Sequence, residues 1–194
     1  MVGCEAPRVV AFSNSEPMKQ ISAWATVLCL SISGAALAQG RPHVHGVAEL
    51  DIAIEPGKIT LQLETPLDSL LGFERAPRGV AETRRVETAV AALKAAGALF
   101  RFTPTAGCAV ASVDLNSAAL KLGSTDPAEA HEGHADLDAT YVFNCTDVAK
   151  ATEVDVGLFD AFIRMQSLKV EVATGRGQFK RDLKRPAQRV MLVR

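Results

Sequence analysis

The sequence predicts an α+β fold, a single domain built on antiparallel β-hairpins with one main helix and short helical segments. Three observations support this prediction. Most patterned segments alternate apolar and polar residues at every second position, which is typical of half-buried strands. Only one long segment has the spacing of an amphipathic helix, and no strand–helix–strand unit recurs. Turn signals such as Pro56-Gly57 and Gly175-Arg176-Gly177 separate neighbouring strand patterns, as they do in hairpins.

The first half of the domain predicts a hairpin followed by helical segments. Even positions from Val44 to Ile54 are mostly apolar and predict a half-buried strand, and Lys58 to Thr65 repeats the alternation after the Pro56-Gly57 turn. Pro66 to Phe73 predicts a short helical turn. The main helix is predicted over Val80 to Ala96, where apolar residues share one face, and Gly97 ends it.

The second half predicts mostly strands around one long loop. The segment from Gly123 to Asp138 is polar and acidic, without apolar periodicity, and is therefore expected to be an exposed loop. The other predicted elements are strands at Leu99 to Phe102, Cys108 to Leu115 and Ala139 to Cys145, a short helical segment at Leu158 to Met165, a hairpin pairing Leu168 to Thr174 with Gln178 to Leu183, and a last strand at Arg189 to Val193.

The N-terminal part predicts an export signal at residues 18–38. Met18-Lys19-Gln20 begins a short basic region, Ile21 to Leu37 is a short, Ser-rich apolar core, and Ala36-Leu37-Ala38 is the small-x-small pattern of signal peptidase. We expect cleavage after Ala38, which leaves one exported domain at 39–194 without a membrane span. Residues 1–17 carry no pattern of their own and are expected to be untranslated or unstructured. An uncleaved anchor is the alternative, and a lipoprotein is disfavoured because Leu28 is too large for the lipobox position before Cys29.

Two cysteines, Cys108 and Cys145, remain in the domain after cleavage. In an oxidising compartment two cysteines most simply form one disulfide, and two separate buried thiols are the alternative. The bridge would close a loop of about forty residues and contribute about 3 to 4 kcal/mol in the chain-entropy model. It would also anchor both ends of the segment between the two cysteines.

The strongest functional signal is the grouping of all four histidines into two close pairs. Two residues apart on a strand, the first pair would project from one face, and the second pair lies three residues apart in the predicted loop. Four neutral imidazoles complete a tetrahedral zinc shell, and neighbouring carboxylates supply auxiliary oxygen ligands. The predicted ligands are His43, His45, His131 and His134, with Glu132 and Asp136 as the auxiliary carboxylates.

Several other function classes fit the sequence less well. The near-balance of 21 Lys+Arg against 22 Asp+Glu argues against nucleic-acid binding, which needs a basic surplus or stripe. A zinc hydrolase is disfavoured because His131 and His134 lie three apart rather than four, and no nucleophile elbow, phosphate-binding glycine loop or acid–base pair stands out. The protein is therefore expected not to be an enzyme. A non-enzymatic structural or protein-interaction module with incidental histidines stays open as an alternative.

An ordered set of motifs resembles a known family. The motifs are His43-Val44-His45-Gly46-Val47-Ala48-Glu49-Leu50, then Leu71-Gly72-Phe73-Glu74-Arg75-Ala76-Pro77, then Ala139-Thr140-Tyr141-Val142-Phe143-Asn144-Cys145, then Val156-Gly157-Leu158-Phe159, and last the hairpin turn from Thr174 to Gln178. In this order they resemble the ZrgA-like family of zinc-regulated periplasmic proteins, a domain-of-unknown-function family, over 43–194.

The resemblance implies a periplasmic location, zinc binding and a role in zinc acquisition beside the solute-binding protein of a zinc importer. Family members typically carry a histidine pair near the mature N-terminus, which corresponds to His43 and His45, and a long loop rich in His, Asp and Glu, which corresponds to Ser124 to Asp138. Here this loop holds only His131 and His134, which implies one or two sites instead of high-capacity loading. Copper and nickel also favour imidazole, so the pattern alone does not select zinc.

The sequence and the resemblance together predict a periplasmic metal-binding protein that buffers zinc or delivers it to an importer. Neutral imidazole is the ligating form, so metal affinity should fall steeply below about pH 6.5. Calorimetric zinc titrations over a series of pH values check this expectation. Binding that stays unchanged between about pH 7.5 and about pH 5 would show that carboxylates, not histidines, hold the ion.

Overall fold

The computed structural model describes residues 44–123 and 135–193. Every described residue belongs to one compact unit, Arg41–Arg194. The predicted signal segment and its cleavage after Ala38 fall outside the described residues. Within the described ranges, no helix has the length and apolar character needed to cross a membrane.

The described residues form an α+β domain, as predicted. Two short 3₁₀ turns, Pro104–Ala106 and Val148–Lys150, connect some of its elements. In chain order the elements are β1 (Val47–Glu55), β2 (Lys58–Pro66), α1 (Leu67–Leu71), α2 (Gly79–Lys94), α3 (Ala96–Leu99), β3 (Phe100–Phe102), β4 (Cys108–Asn116), β5 (Asp136–Cys145), β6 (Glu153–Val156), α4 (Leu158–Ala161), β7 (Ser167–Thr174), β8 (Gly177–Lys184) and β9 (Arg189–Met191).

Two sheets organise the domain. The main sheet has six strands in the order β4-β5-β2-β1-β7-β8, and the second has three in the order β3-β6-β9. Both predicted hairpins, β1–β2 and β7–β8, are confirmed as antiparallel pairs. They join side by side in the main sheet through a parallel pairing of β1 with β7. Hairpin patterns report only local pairing, so the sequence did not predict this parallel contact.

Several element boundaries differ from the predictions. β1 begins at Val47 and not at Val44, whereas β5 begins at Asp136, within the predicted loop, because it pairs with β2 as far as Pro66. The short strand β6 was not predicted, since four residues are too few to establish a period. It forms where β3 and β9 supply partners on both sides. The helical segment predicted to reach Met165 ends at Ala161.

The hydrophobic core lies between the main sheet and the elements that cover its inner face. Inward-facing residues such as Leu50, Leu61 and Tyr141 are 0% exposed. Phe100 on β3 packs edge-on against Tyr141 on β5 with ring centroids 4.9 Å apart, which places the second sheet over the first. Leu93 on α2 contributes to the same cluster. The core therefore packs against one face of the main sheet, and the other face remains polar.

The predicted disulfide is confirmed between Cys108 and Cys145, which lie directly opposite each other on β4 and β5. It closes the end of this strand pair that lies away from the segment between Gly123 and Ala135, because β4 ends and β5 begins at the other end. Eight residues of strand separate the bridge from the other end of this strand pair by roughly 27 Å. The bridge thus anchors both ends of the segment between the two cysteines, as predicted, at the opposite end of the strand pair from Asn116 and Asp138.

Tyr141 gives a stability prediction. Its hydroxyl is fully buried and has no hydrogen-bond partner among the described residues, and burial raises its pKa well above the usual value for a phenol. A buried polar group without a partner costs about 1 to 3 kcal/mol. Tyr141→Phe keeps the ring against Phe100 and is expected to raise the free energy of unfolding by about 1 kcal/mol in urea denaturation. A loss of stability would instead show that a buried water satisfies the hydroxyl.

Candidate metal centre

His45 lies in a β-turn just before β1. The backbone N–H of Val47 donates a hydrogen bond of 3.0 Å to the carbonyl of Val44 and closes the turn. Gly46, the third residue of the turn, has φ +77°, a value that favours glycine at this position. The His45 side chain is 66% exposed. The predicted arrangement, two histidines on one face of a strand, is therefore wrong at His45, and His43 lies outside the described residues.

The backbone beside His45 is held on two sides. The Gly46 N–H donates to the hydroxyl of Ser69 at 3.1 Å, and Ser69 is completely buried in α1. The Gly46 carbonyl accepts hydrogen bonds from the N–H groups of Gln166 at 2.7 Å and Ser167 at 3.0 Å, at the start of β7. The turn is thus fixed to α1 and to the main sheet, although the imidazole itself is exposed.

Two carboxylates lie near the His45 imidazole, one at each ring nitrogen. Nε2 lies 3.1 Å from Oε1 of Glu74, and Nδ1 lies 4.0 Å from Oδ2 of Asp68. The first distance is that of a hydrogen bond and the second is too long for one. The side chains of Asp68 and Glu74 are 24% and 37% exposed, respectively. The carboxylates therefore stand at the rim of the core and not inside it.

Sequence reasoning missed both carboxylates. Glu74 belongs to the Leu71 to Pro77 motif, which contributed to the resemblance but was not considered as part of a site. Asp68 is the acidic residue in the first turn of α1. No spacing relates either residue to His45, so the local pattern held no signal for their contact.

The loop that carries Glu74 is held against α2. It begins at Gly72, whose φ of +81° ends α1 in a left-handed conformation. The Arg75 guanidinium donates two hydrogen bonds, of 2.7 and 2.8 Å, to the carboxylate of Glu82 on α2. These hydrogen bonds, followed by one from the backbone N–H of Arg78, lower the pKa of Glu82 to about 2. Glu82 thus remains ionised in all but strongly acidic solution, and the ion pair persists.

The histidine-bearing segment is attached at the same end of the sheet as His45. Asn116, Asp138, Glu64 and Glu49 form one cross-strand row over β4, β5, β2 and β1, so β4 ends and β5 begins where β1 begins. The backbone N–H of Leu67 donates a 2.8 Å hydrogen bond to the carbonyl of Ala135. Ala135 follows His134 in the sequence, and Leu67 precedes Asp68. The segment between Gly123 and Ala135 therefore ends next to the helix that carries Asp68.

Two of the six predicted ligands, His45 and Asp136, belong to the described residues. Asp136 starts β5 opposite Pro66, at the same end of the sheet as His45. Among residues 44–123 and 135–193, no three His, Cys, Asp or Glu side chains are grouped so that they could hold one ion. The predicted ligands outside these ranges are His43, His131, Glu132 and His134.

A family model described as ZrgA family zinc uptake protein matches residues 42–192, well over half of the chain. The chain belongs to the ZrgA family. This confirms the resemblance drawn from the ordered motifs and gives the protein a zinc-related role. No curated protein matches the chain.

The outer face of the main sheet in this ZrgA family protein is acidic near the His45 end. Glu49, Glu64 and Asp138 lie side by side on three neighbouring strands, and Asp51 lies one row further along β1. Lys169 on β7 pairs with Glu49 at 3.0 Å and offsets part of this charge. A surface of one sign concentrates ions of the opposite sign, so the face favours the approach of cations.

The effect of this negative charge on stability can be measured at Asp51. Partial desolvation, followed by the negative charges of Glu171 and Glu49, raises the pKa of Asp51 above its ordinary value of 3.8. The ionised carboxylate therefore destabilises the fold above the folded-state pKa, and this effect is absent below the unfolded-state pKa. Asp51→Asn is expected to raise the free energy of unfolding near neutral pH and to leave it nearly unchanged near about pH 3.

Urea denaturation at the two pH values measures this difference, with Glu87→Gln as the control. Glu87 lies exposed on α2, away from the sheet face. A gain of equal size at both pH values would contradict the electrostatic explanation, because it would not depend on ionisation.

Proposed function

We propose that this ZrgA family protein is a periplasmic zinc-binding protein that buffers the ion or passes it to a zinc importer. One observation carries the proposal. The exposed imidazole of His45, its two flanking carboxylates and the attachment points of the segment that holds His131 and His134 all lie at one end of the main sheet. Family membership supports zinc as the ion.

The proposed ligands are the two histidine pairs, with Glu132 and Asp136 as auxiliary oxygen donors. Imidazole and carboxylate donors suit zinc, and both cysteines of the domain are engaged in the disulfide. His43 is two residues from His45 in the chain. Residues 124–134 span up to about 36 Å when extended, whereas β5 and β1 lie roughly 10 Å apart across β2. The chain length therefore allows His131 or His134 to reach the ion at His45.

The exposure of the centre favours exchange of the ion over permanent storage. Structural zinc sites are closed by four protein ligands, whereas His45 is 66% exposed. An ion held at such a position is accessible to a second protein, and we propose the solute-binding protein of a zinc importer as the recipient. No catalytic step is proposed, because this function needs binding and release of the ion alone.

The proposal is tested by zinc calorimetry on the untagged domain, residues 39–194. The matched variants are His43→Ala/His45→Ala and His131→Ala/His134→Ala, with Glu87→Gln as the control. The unaltered domain is expected to bind one zinc ion tightly. Each double variant should bind at least about tenfold more weakly, because each removes imidazole ligands, while the control is unchanged.

The losses of zinc affinity in the two double variants show whether the histidine pairs share one ion. Weakening of the same site by both double variants would show that the two histidine pairs share one ion. A folded protein that takes up no zinc would refute the proposal. It would favour the alternative function, a structural or protein-interaction module with incidental histidines.

A further inference from the structure

We propose that Asp68 and His45 form a zinc half-site in which His45 coordinates through Nδ1, and that Glu74 is the positioning residue that directs this nitrogen to the ion. The inference rests on the proposed zinc-binding function. It goes further by assigning the coordinating atom of His45 and a role to each of two carboxylates that lie outside the predicted ligand set.

The contact with Glu74 selects the ligating nitrogen. A neutral imidazole carries one N–H and one lone pair, and the hydrogen bond that the N–H makes decides which nitrogen stays available to a metal. Oε1 of Glu74 lies 3.1 Å from Nε2 of His45, within hydrogen-bonding distance, and in this proposal Glu74 accepts the Nε2 hydrogen. The lone pair then resides on Nδ1. A carboxylate in this place also orients the imidazole ring, as carboxylate partners of zinc-bound histidines do.

The position of Asp68 supplies the second ligand. Its Oδ2 lies 4.0 Å from Nδ1 of His45, whereas Glu74 approaches the other ring nitrogen. Zinc bound to an imidazole nitrogen and a carboxylate oxygen in tetrahedral geometry holds those two atoms about 3.4 Å apart. Closing this gap takes a movement of roughly 0.6 Å, which rotation of the aspartate side chain provides.

Each of the three side chains stands on a segment with its own anchor. The His45 turn is held through Gly46 by Ser69 and by the start of β7. Asp68 belongs to the same helix as Ser69, so the hydrogen bond from Gly46 to this buried hydroxyl links the segments that carry the two ligands. The Glu74 loop is held by the ion pair of the following residue, Arg75, with α2. Such preorganisation is what a binding constellation requires.

The first arm of the test is NMR of the purified metal-free protein. Long-range ¹H–¹⁵N correlations report which nitrogen of His45 carries the hydrogen, and the expected state is protonation at Nε2. Glu74→Ala should give a mixture of tautomers, and Glu74→Gln, whose side-chain oxygen still accepts, should restore the Nε2–H form. Zinc should then shift the Nδ1 resonance.

The second arm is zinc affinity by calorimetry. Asp68→Asn is expected to lower the affinity by about 10- to 100-fold without changing the tautomer, because it weakens a ligand and leaves the Glu74 contact intact. Glu74→Ala should lower the affinity about tenfold and Glu74→Gln by less. Glu87→Gln, an exposed carboxylate on α2, should have no effect and serves as the matched control.

The outcomes separate this inference from the function on which it rests. If the unaltered protein takes up no zinc, the proposed function fails and the half-site fails with it. If zinc binds but shifts Nε2 of His45, or if Asp68→Asn behaves like the Glu87→Gln control, the half-site is overturned while the zinc-binding function stands. Zinc coordination at Nδ1, with the graded losses above, supports both.

Discussion

The parallel pairing of β1 with β7 is the contact on which the rest of the molecule depends. Each strand belongs to a local hairpin, and eight residue pairs between them join the two hairpins into one six-stranded sheet. The same pairing orients the turn before β1, because the backbone N–H groups at the start of β7 bind the Gly46 carbonyl. The continuous sheet then offers one face to the aromatic and aliphatic core, and its other face remains polar.

Pairing in the main sheet also decides which chain segments meet at its end. β1 begins, β2 ends and β5 begins at the same end of the sheet, and α1 follows β2 directly. His45, Asp68 and the carbonyl of Ala135 are therefore neighbours although they are distant in the chain. The disulfide lies at the opposite end of β4 and β5, where it joins the two strands.

The charge arrangement on the outer face favours cation binding at the expense of stability. Like charges directly opposite each other on neighbouring strands destabilise a sheet, and Glu64 stands between Glu49 and Asp138. The conflict is understandable if the protein handles a divalent cation, because the same negative field that strains the sheet attracts the ion. The ion pair between Lys169 and Glu49 limits the cost.

Local pattern and composition determined much of this protein. Alternating residues and turn signals predicted both hairpins, helical periodicity predicted α2, the count of cysteines predicted the disulfide, and the ordered motifs predicted the family. Each of these features can be predicted from residues that are close in the chain, from the order of short motifs, or from the number of cysteines. Only the tertiary structure decided the parallel contact of β1 with β7, the short strand β6, the start of β1 after the His45 turn, and the approach of Asp68 and Glu74 to His45. These contacts join residues that no sequence period relates, because they arise from the order in which strands pack into a sheet.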